Sequence, residues 1–308
     1  MNHTILNSSS NLANATGTIR YNMTNDYMFR AVLQKNQKVL AGLVGALLHL
    51  NPEELDVEIT NPIILGSSIG DKDFILDIQV VVNGHTKLNL EMQVVNYGNW
   101  KERSLSYLCR SFDSLAKGSD YINVAPAIHI GFIDFTLFEE SPEFYATYMM
   151  TNVKSHKVYT DKLQLSVIEL KNIELATEED CRFQVDRWAK LFKARTWEEL
   201  KAMAVTNQYM ESAVNTMYEL STDERVQEQC RRRAEYEYFQ KLQEEKILAL
   251  HKMVADRDAE IADKEAEIAD KETEIADKEA EIADKNAEIA ELKRLLAENS
   301  NKIHINQK

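Results

Sequence analysis

Residues 75–94, ILDIQVVVNGHTKLNLEMQV, alternate apolar and polar side chains with a period of two. The phase of that alternation limits how the segment can fold. Successive strand side chains point to opposite faces. Leu88, Leu90, Met92 and Val94 therefore share one face, and Asn89, Glu91 and Gln93 the other. In the preceding run Leu76, Ile78, Val80 and Val82 share a face, with Asp77 and Gln79 opposite. Two apolar rows serve one core only in a register that keeps their parity. The register that does so joins Leu76 to Met92, Ile78 to Leu90 and Val80 to Leu88. It also sets Asp77 across from Glu91, with Cβ atoms roughly 4.5–5.5 Å apart. A two-residue Asn83-Gly84 turn shifts the register by one and sends the two acids to opposite faces. The hydrophobic pattern thus predicts a three-residue loop, Asn83-Gly84-His85, or a bulge. Two carboxylates on one sheet face repel unless a cation lies between them, and hard oxygen ligands suit Mg²⁺. The competing reading is an edge hairpin whose acids are solvated and staggered.

Composition narrows the setting. The 308 residues are 44% hydrophobic with three Trp, enough for one substantial packed domain and an appendage. The longest apolar run, at residues 39–50, is too short to span a bilayer, so no membrane association is expected. The amino terminus has no positive region followed by an apolar one, as a secretory signal would. Cys109, Cys181 and Cys230 are too few and too scattered for a disulfide framework or a zinc cluster. A reduced, cytoplasmic protein is the expectation. The net charge of −14 argues against broad adhesion to nucleic acid. Any such contact needs a local patch, for which Lys101, Arg103, Arg110 and Lys117 on one predicted helix are candidates. Arg231-Arg232-Arg233 forms the other basic cluster, and a run of this kind is ordinarily a solvated surface.

Along the chain, residues 1–20 read as a disordered Asn/Ser/Thr leader and residues 21–206 as the main domain. Within it, two helices are predicted over 24–50, extended segments near 57–65, 74–82 and 87–94, and a helix over 99–117. Strands follow near 126–136, 144–151 and 163–170, a mixed α/β pattern with hairpins. From residue 178 the signal is helical, with a pair of helices before Asn207 and a helical connector over 207–254. Residues 255–298 form a heptad-repeat segment in which ADKEAEI recurs nearly verbatim from residue 255, followed by a tail over 299–308. Ile247, Val254, Ile261, Ile268, Ile275, Ile282, Ile289 and Leu296 recur every seven residues, which predicts a long helix able to form a coiled coil and a homo-oligomer. The stripe is thin: Lys264, Lys271, Lys278 and Lys285 occupy the position that would complete the seam. A solitary charged helix is the alternative.

Residues from about 21 to 200 resemble the PD-(D/E)XK nuclease family transposases, also called the recombination-promoting nuclease family. The matching segments run in order: TNDYMFRAVL from Thr24, the ILDIQV strand with Asp77, and LNLEMQV, with Glu91 and Gln93 as an E-x-Q motif. KERSLSYLCRSFDSLAKGSDY follows, carrying Arg103, Tyr107, Gly118 and Tyr121, then PAIHIGFIDF and LQLSVIELKNI. The resemblance implies a restriction-endonuclease-like α/β core, a mixed sheet flanked by helices, that cuts DNA with a divalent cation such as Mg²⁺. It implies catalytic roles for Asp77, Glu91 and Gln93, with Asp77 and Glu91 as metal ligands and Asp26 as a further ligand. Gln93 stands where such nucleases usually have Lys, so the positive charge must come from elsewhere; Lys72, Lys87 and Arg103 are candidates. A competing role for Asp26 is helix capping, shared with Thr24 and Asn25. Arg103 and Tyr107, at i and i+4, share a helix face, and the resemblance turns that face to the site, with Arg103 on DNA phosphate. The implied role is an endonuclease acting in recombination, mobile elements or phage defence. The alternative is an inactive nuclease-fold scaffold working through its C-terminal helix.

Overall fold

The computed structural model describes residues 12–63, 65, 77–113, 118, 120–205 and 207–305, with side chains to residue 296. Helices α1 (Asp26–Lys35) and α2 (Gln37–Leu48) lead into strands β1 (Val57–Ile59), β2 (Ile78–Val82) and β3 (Thr86–Gln93). Helix α3 (Trp100–Phe112) connects β3 to β4 (Ala127–Ile133), followed by β5 (Tyr145–Met149) and β6 (Leu163–Glu169). Five helices complete the chain: α4 (Glu178–Arg182), α5 (Val185–Lys193), α6 (Trp197–Ala204), α7 (Gln208–Ser221) and α8 (Glu224–Ile305). Among the described residues the strands form one mixed six-stranded sheet, ordered β1-β2-β3-β4-β6-β5. This is an α/β architecture with flanking helices and a long C-terminal helix, in keeping with a restriction-endonuclease-like fold.

β2 and β3 pair antiparallel in the register that hydrophobic parity selects, Ile78 with Leu90 and Val80 with Leu88. The predicted three-residue loop closes them. Val82 pairs with Thr86, and Asn83 and Gly84 take left-handed φ values of 52° and 65°. The third expected pair, Leu76 with Met92, lies outside the described residues. β3 then pairs parallel with β4, setting Asn89 beside His129 and Glu91 beside Gly131.

The two faces of the sheet have different fillings. Ile78, Val80, Leu88, Leu90, Ile130 and Phe132 join the main core with Phe29, Leu43, Phe192 and Met217 from the helices. The other face is covered by α3, where Trp100 packs with Ile133 and Val167. Gly131 makes that approach possible, since a Cβ there would fall 2.1 Å from the Trp100 ring. β4 is accordingly buried along its whole length, as a central strand covered on both faces should be. The polar side chains Asn89, Glu91 and Gln93 on this face of β3 are thus enclosed, while Gln79 of β2 is exposed.

Three segments depart from the sequence expectation. Of the leader expected over residues 1–20, residues 12–20 are described and docked. Leu12 and Ile19 are buried, and Ile19 N–H donates to the Arg195 carbonyl at 2.8 Å. The region expected to be a connector begins with core instead: α7 buries Met210, Ala213, Val214, Met217 and Leu220. Three helices, α4 to α6, occupy the place where a pair was expected. The chain divides into two compact units, Met1–Lys241 and Leu242–Lys308. The first turns of α8 belong to the first unit, where Val226 and Cys230 are buried. In the second unit the Ile row is exposed from Ile261 to Ile289. Glu260 pairs there with Lys264 at 2.8 Å and Glu267 with Lys271 at 2.5 Å. Glu preceding Lys by four is the orientation that supports a solvated helix.

Candidate active site on the enclosed polar face

Four carboxylates meet beside the end of β3. Asp77 precedes β2 and Glu91 lies on β3, which also carries Gln93. Asp26 begins α1, and Glu237 lies on α8. They line a cavity of about 30 Å³ together with Tyr97, Arg103 and Arg233. Asp26, Asp77, Glu91 and Gln93 are all buried. Each is held by identifiable neighbours. Arg30, wholly buried on α1, donates to the carbonyls of Asp77 and Asn61, and Asn61 donates to the Asp77 carbonyl at 3.0 Å. These contacts fix the backbone at Asp77. Asn25 is the N-cap of α1: its side chain accepts from Met28 N–H at 3.2 Å. Its amide also donates to the Cys230 carbonyl at 3.1 Å, tying the start of α8 to the start of α1. Capping therefore falls to Asn25, and Asp26 is turned into the cavity.

Two arginines stand among the acids. Arg103 meets Glu91 at 2.6 Å, and Arg233 meets Asp26 at 2.5 Å and Glu237 at 3.5 Å. Even so, among the described residues Asp26 Oδ1, both carboxylate oxygens of Asp77, Glu91 Oε2 and Gln93 Oε1 have no hydrogen-bond partner. Buried acceptors in that state cost about 1–3 kcal/mol each, and most buried polar atoms avoid it. A concentration of them at one cavity fits a small hard cation, whose ligands are oxygens of this kind. Among the described residues, no three His, Cys, Asp or Glu side chains are grouped closely enough to hold an ion as they stand. In this arrangement Glu91 pairs with Arg103 and Asp26 with Arg233.

Burial governs the electrostatics. It raises the Glu91 carboxyl to about 7, with Arg103 opposing and Asp77 adding to the rise. Glu237 is raised to about 8 by burial and by the Asp26 charge. Asp77 and Asp26 are raised by burial against the opposing charges of Arg30 and Arg233 respectively. His129, fully buried on β4, is lowered to about 3 by burial and by Arg103, and so is neutral. Its Nδ1 lies 3.0 Å from the Asn89 amide nitrogen, and its Nε2 is 3.7 Å from Glu91 Oε2.

The structure brings Asp26, Asp77, Glu91, Gln93 and Arg103 to one cavity. Tyr107 lies under the Arg103 guanidinium at 5.5 Å. Lys87 and Arg110 do not reach this cavity; they line a larger one that shares Asp77. Lys101 is directed to the Phe138 ring instead. Lys72 and Lys117 lie outside the described residues. Within the basic triplet, Arg231 and Arg232 pair with Glu228 on the helix surface, as a solvated run should. Arg233 does not, and Glu237 one turn later joins it. Neither announces itself in the sequence, because the partner of Arg233 lies 207 residues away.

A family model described as PD-(D/E)XK nuclease family transposase matches residues 23–246. That span takes in every residue of the cavity, Arg233 and Glu237 included. No curated protein and no solved structure matches the chain. Among the described residues no helix is long and apolar enough to cross a membrane.

The raised carboxyls give a pH dependence of defined sign. A carboxyl whose folded pKa exceeds its unfolded value binds its proton better when folded, so its contribution is complete below the unfolded pKa and is lost as pH rises through the folded one. For Glu91 that window runs from its ordinary 4.5 to about 7, and for Glu237 to about 8. Metal-free protein is therefore expected to lose stability between about pH 5 and pH 8, on the order of 3 kcal/mol from Glu91. Mg²⁺ should restore more at pH 8 than at pH 5. Urea midpoints with EDTA and with Mg²⁺ check this; a rising midpoint across the window in EDTA would contradict it.

Proposed function

The chain belongs to the PD-(D/E)XK nuclease family transposases, and on that premise we propose that it is a divalent-metal-dependent endonuclease hydrolysing DNA phosphodiester bonds. The observation that carries this reading is the group of partnerless oxygens on Asp77, Glu91 and Gln93 at one small cavity. Asp77 and Glu91 would hold Mg²⁺, with Asp26 as a further ligand. When bound, the ion polarises the scissile phosphate and lowers the pKa of the attacking water. Gln93 gives its amide hydrogens to the Val95 carbonyl at 3.0 Å, which leaves its own oxygen to accept from that water. A Gln orients a water but cannot take its proton. Arg103, partly exposed beside Glu91, supplies the positive charge that Lys gives in other nucleases and meets the DNA phosphate. Hydrolysis in recombination, mobile-element or phage-defence settings is the corresponding role.

The pairing of Arg103 with Glu91 and Arg233 with Asp26 favours a second reading. Acids so neutralised need no cation, and the fold would then be a scaffold that recruits partners through α8. Supercoiled-plasmid cleavage separates the two. Wild type should nick or cut with Mg²⁺ and not with EDTA. Asp77→Asn and Glu91→Gln, folded by circular dichroism, should each be slower by at least about 100-fold, since even groups that only support metal ligands are worth 10–100-fold. Folded wild type that cuts no DNA with any divalent ion would favour the scaffold.

Self-association through the exposed Ile row of α8 belongs to the same proposal, as a homo-oligomeric coiled coil. Sedimentation equilibrium should give a mass above the monomer for the full chain and a monomer for a chain ending at Val254. Equal association of both would remove α8 as the contact.

A further inference from the structure

A second cavity opens on the same sheet face, about 440 Å³ in volume, and shares Asp77 as a wall with the small one. We propose that it is a subsite for one unpaired nucleotide of the substrate strand, adjoining the bond to be cut. The proposal rests on the nuclease reading and adds the form of nucleic acid that the site takes. The small cavity has room for an ion and a water; the larger one lies within the roughly 300–1,000 Å³ typical of ligand sites.

The lining suits a nucleotide in each of its parts. Tyr107 presents a ring that its neighbours hold in place: it stacks on His129 at 6.1 Å with an interplanar angle of 8°. Arg103 also lies over the ring at 5.5 Å, so a base would stack on the part of the half-buried ring that lines the cavity; because every base has a π-face, stacking tolerates sequence. Lys87 and Arg110 line the cavity, and Asp77 is the one acid among its described lining residues. The Arg110 guanidinium gives a phosphate a cation to meet there. The fourth feature is Asn89. It is 2% exposed, its amide nitrogen is taken up with His129 Nδ1 at 3.0 Å, and its Oδ1 has no partner. Asn89 lines the cavity, and an unpaired acceptor beside it calls for a donor from whatever enters. Base amino and ring N–H groups are such donors, and a phosphate or a sugar ring oxygen is not.

Unpaired is a necessary part of the proposal. A base within a stacked duplex has both faces covered and its donors engaged in pairing. It reaches an enclosed aromatic face only in a single strand or after leaving the stack. The preferred substrate is thus DNA with a single-stranded or extrahelical nucleotide beside the cut.

Fluorescence anisotropy with a labelled 12-nucleotide single strand and its duplex, in Ca²⁺ without Mg²⁺, tests this on the full chain. The single strand should bind more tightly. Tyr107→Leu should weaken it by roughly 5- to 100-fold, the range of one lost base stack, while Tyr107→Phe keeps the affinity. Arg110→Ser should reduce the salt dependence of single-strand binding. Tyr107→Leu that is folded and binds the single strand as wild type does would overturn the proposal, as would equal or weaker binding of the single strand than the duplex. The readout is separate from cleavage. If plasmid is cut but Tyr107→Leu binds normally, the subsite alone fails. If no DNA is cut and Tyr107 still governs binding, the subsite stands and the hydrolytic reading fails.

Discussion

The pairing of Ile78 with Leu90 and Val80 with Leu88 is the constraint on which the site depends. It places the apolar rows of both strands in the main core and leaves Gln79, Asn89, Glu91 and Gln93 on the opposite face. A slip of one residue would exchange the two sets and bury carboxylates among Phe29, Phe132 and Phe192. The three-residue loop at Asn83 enforces the register, because its two left-handed residues close the hairpin without changing parity. β4 extends the same logic: Gly131 sits beside Glu91, and the missing side chain lets Trp100 bring α3 down over the acids. One register and one glycine together convert a polar strand face into an enclosed pocket.

Enclosure has an electrostatic consequence. Carboxylates out of water are disfavoured as ions unless positive charge is supplied. Arg103 and Arg233 supply part of it, to Glu91 and Asp26, while Asp77 meets the charges of Arg30 and Arg103 and, among the described residues, both its oxygens lack a donor. A divalent ion would satisfy what the arginines leave. Arg233 has two carboxylate partners, Asp26 and Glu237, so it would keep one if Asp26 turned to a cation. The base of α8 is thereby part of the site, and the family match, ending at residue 246, includes it.

Period-two alternation made β2, β3 and their loop legible in the sequence, because parity is a property of neighbours along the chain. The ordered motifs carried the family and the candidacy of Asp26 and Arg103. What was illegible depends on distant pairing. Arg233 reads as one of three consecutive arginines, and only the tie from Asn25 to Cys230 aims it at Asp26. His129 reads as one polar residue in an apolar strand, and its link to Asn89 requires the parallel register of β3 and β4. The helical region after residue 207 reads as a connector because periodicity reports that a helix has an apolar face and not what covers it. In α7 that face is core.

The claim that the partnerless oxygens form a cation site is tested most directly by calorimetric titration of Mn²⁺ and Mg²⁺ into the full chain. The account predicts saturable binding by wild type and its loss in Asp77→Asn and in Glu91→Gln, with both variants folded. Wild type that takes up no divalent ion, or variants that bind as wild type does, would contradict it.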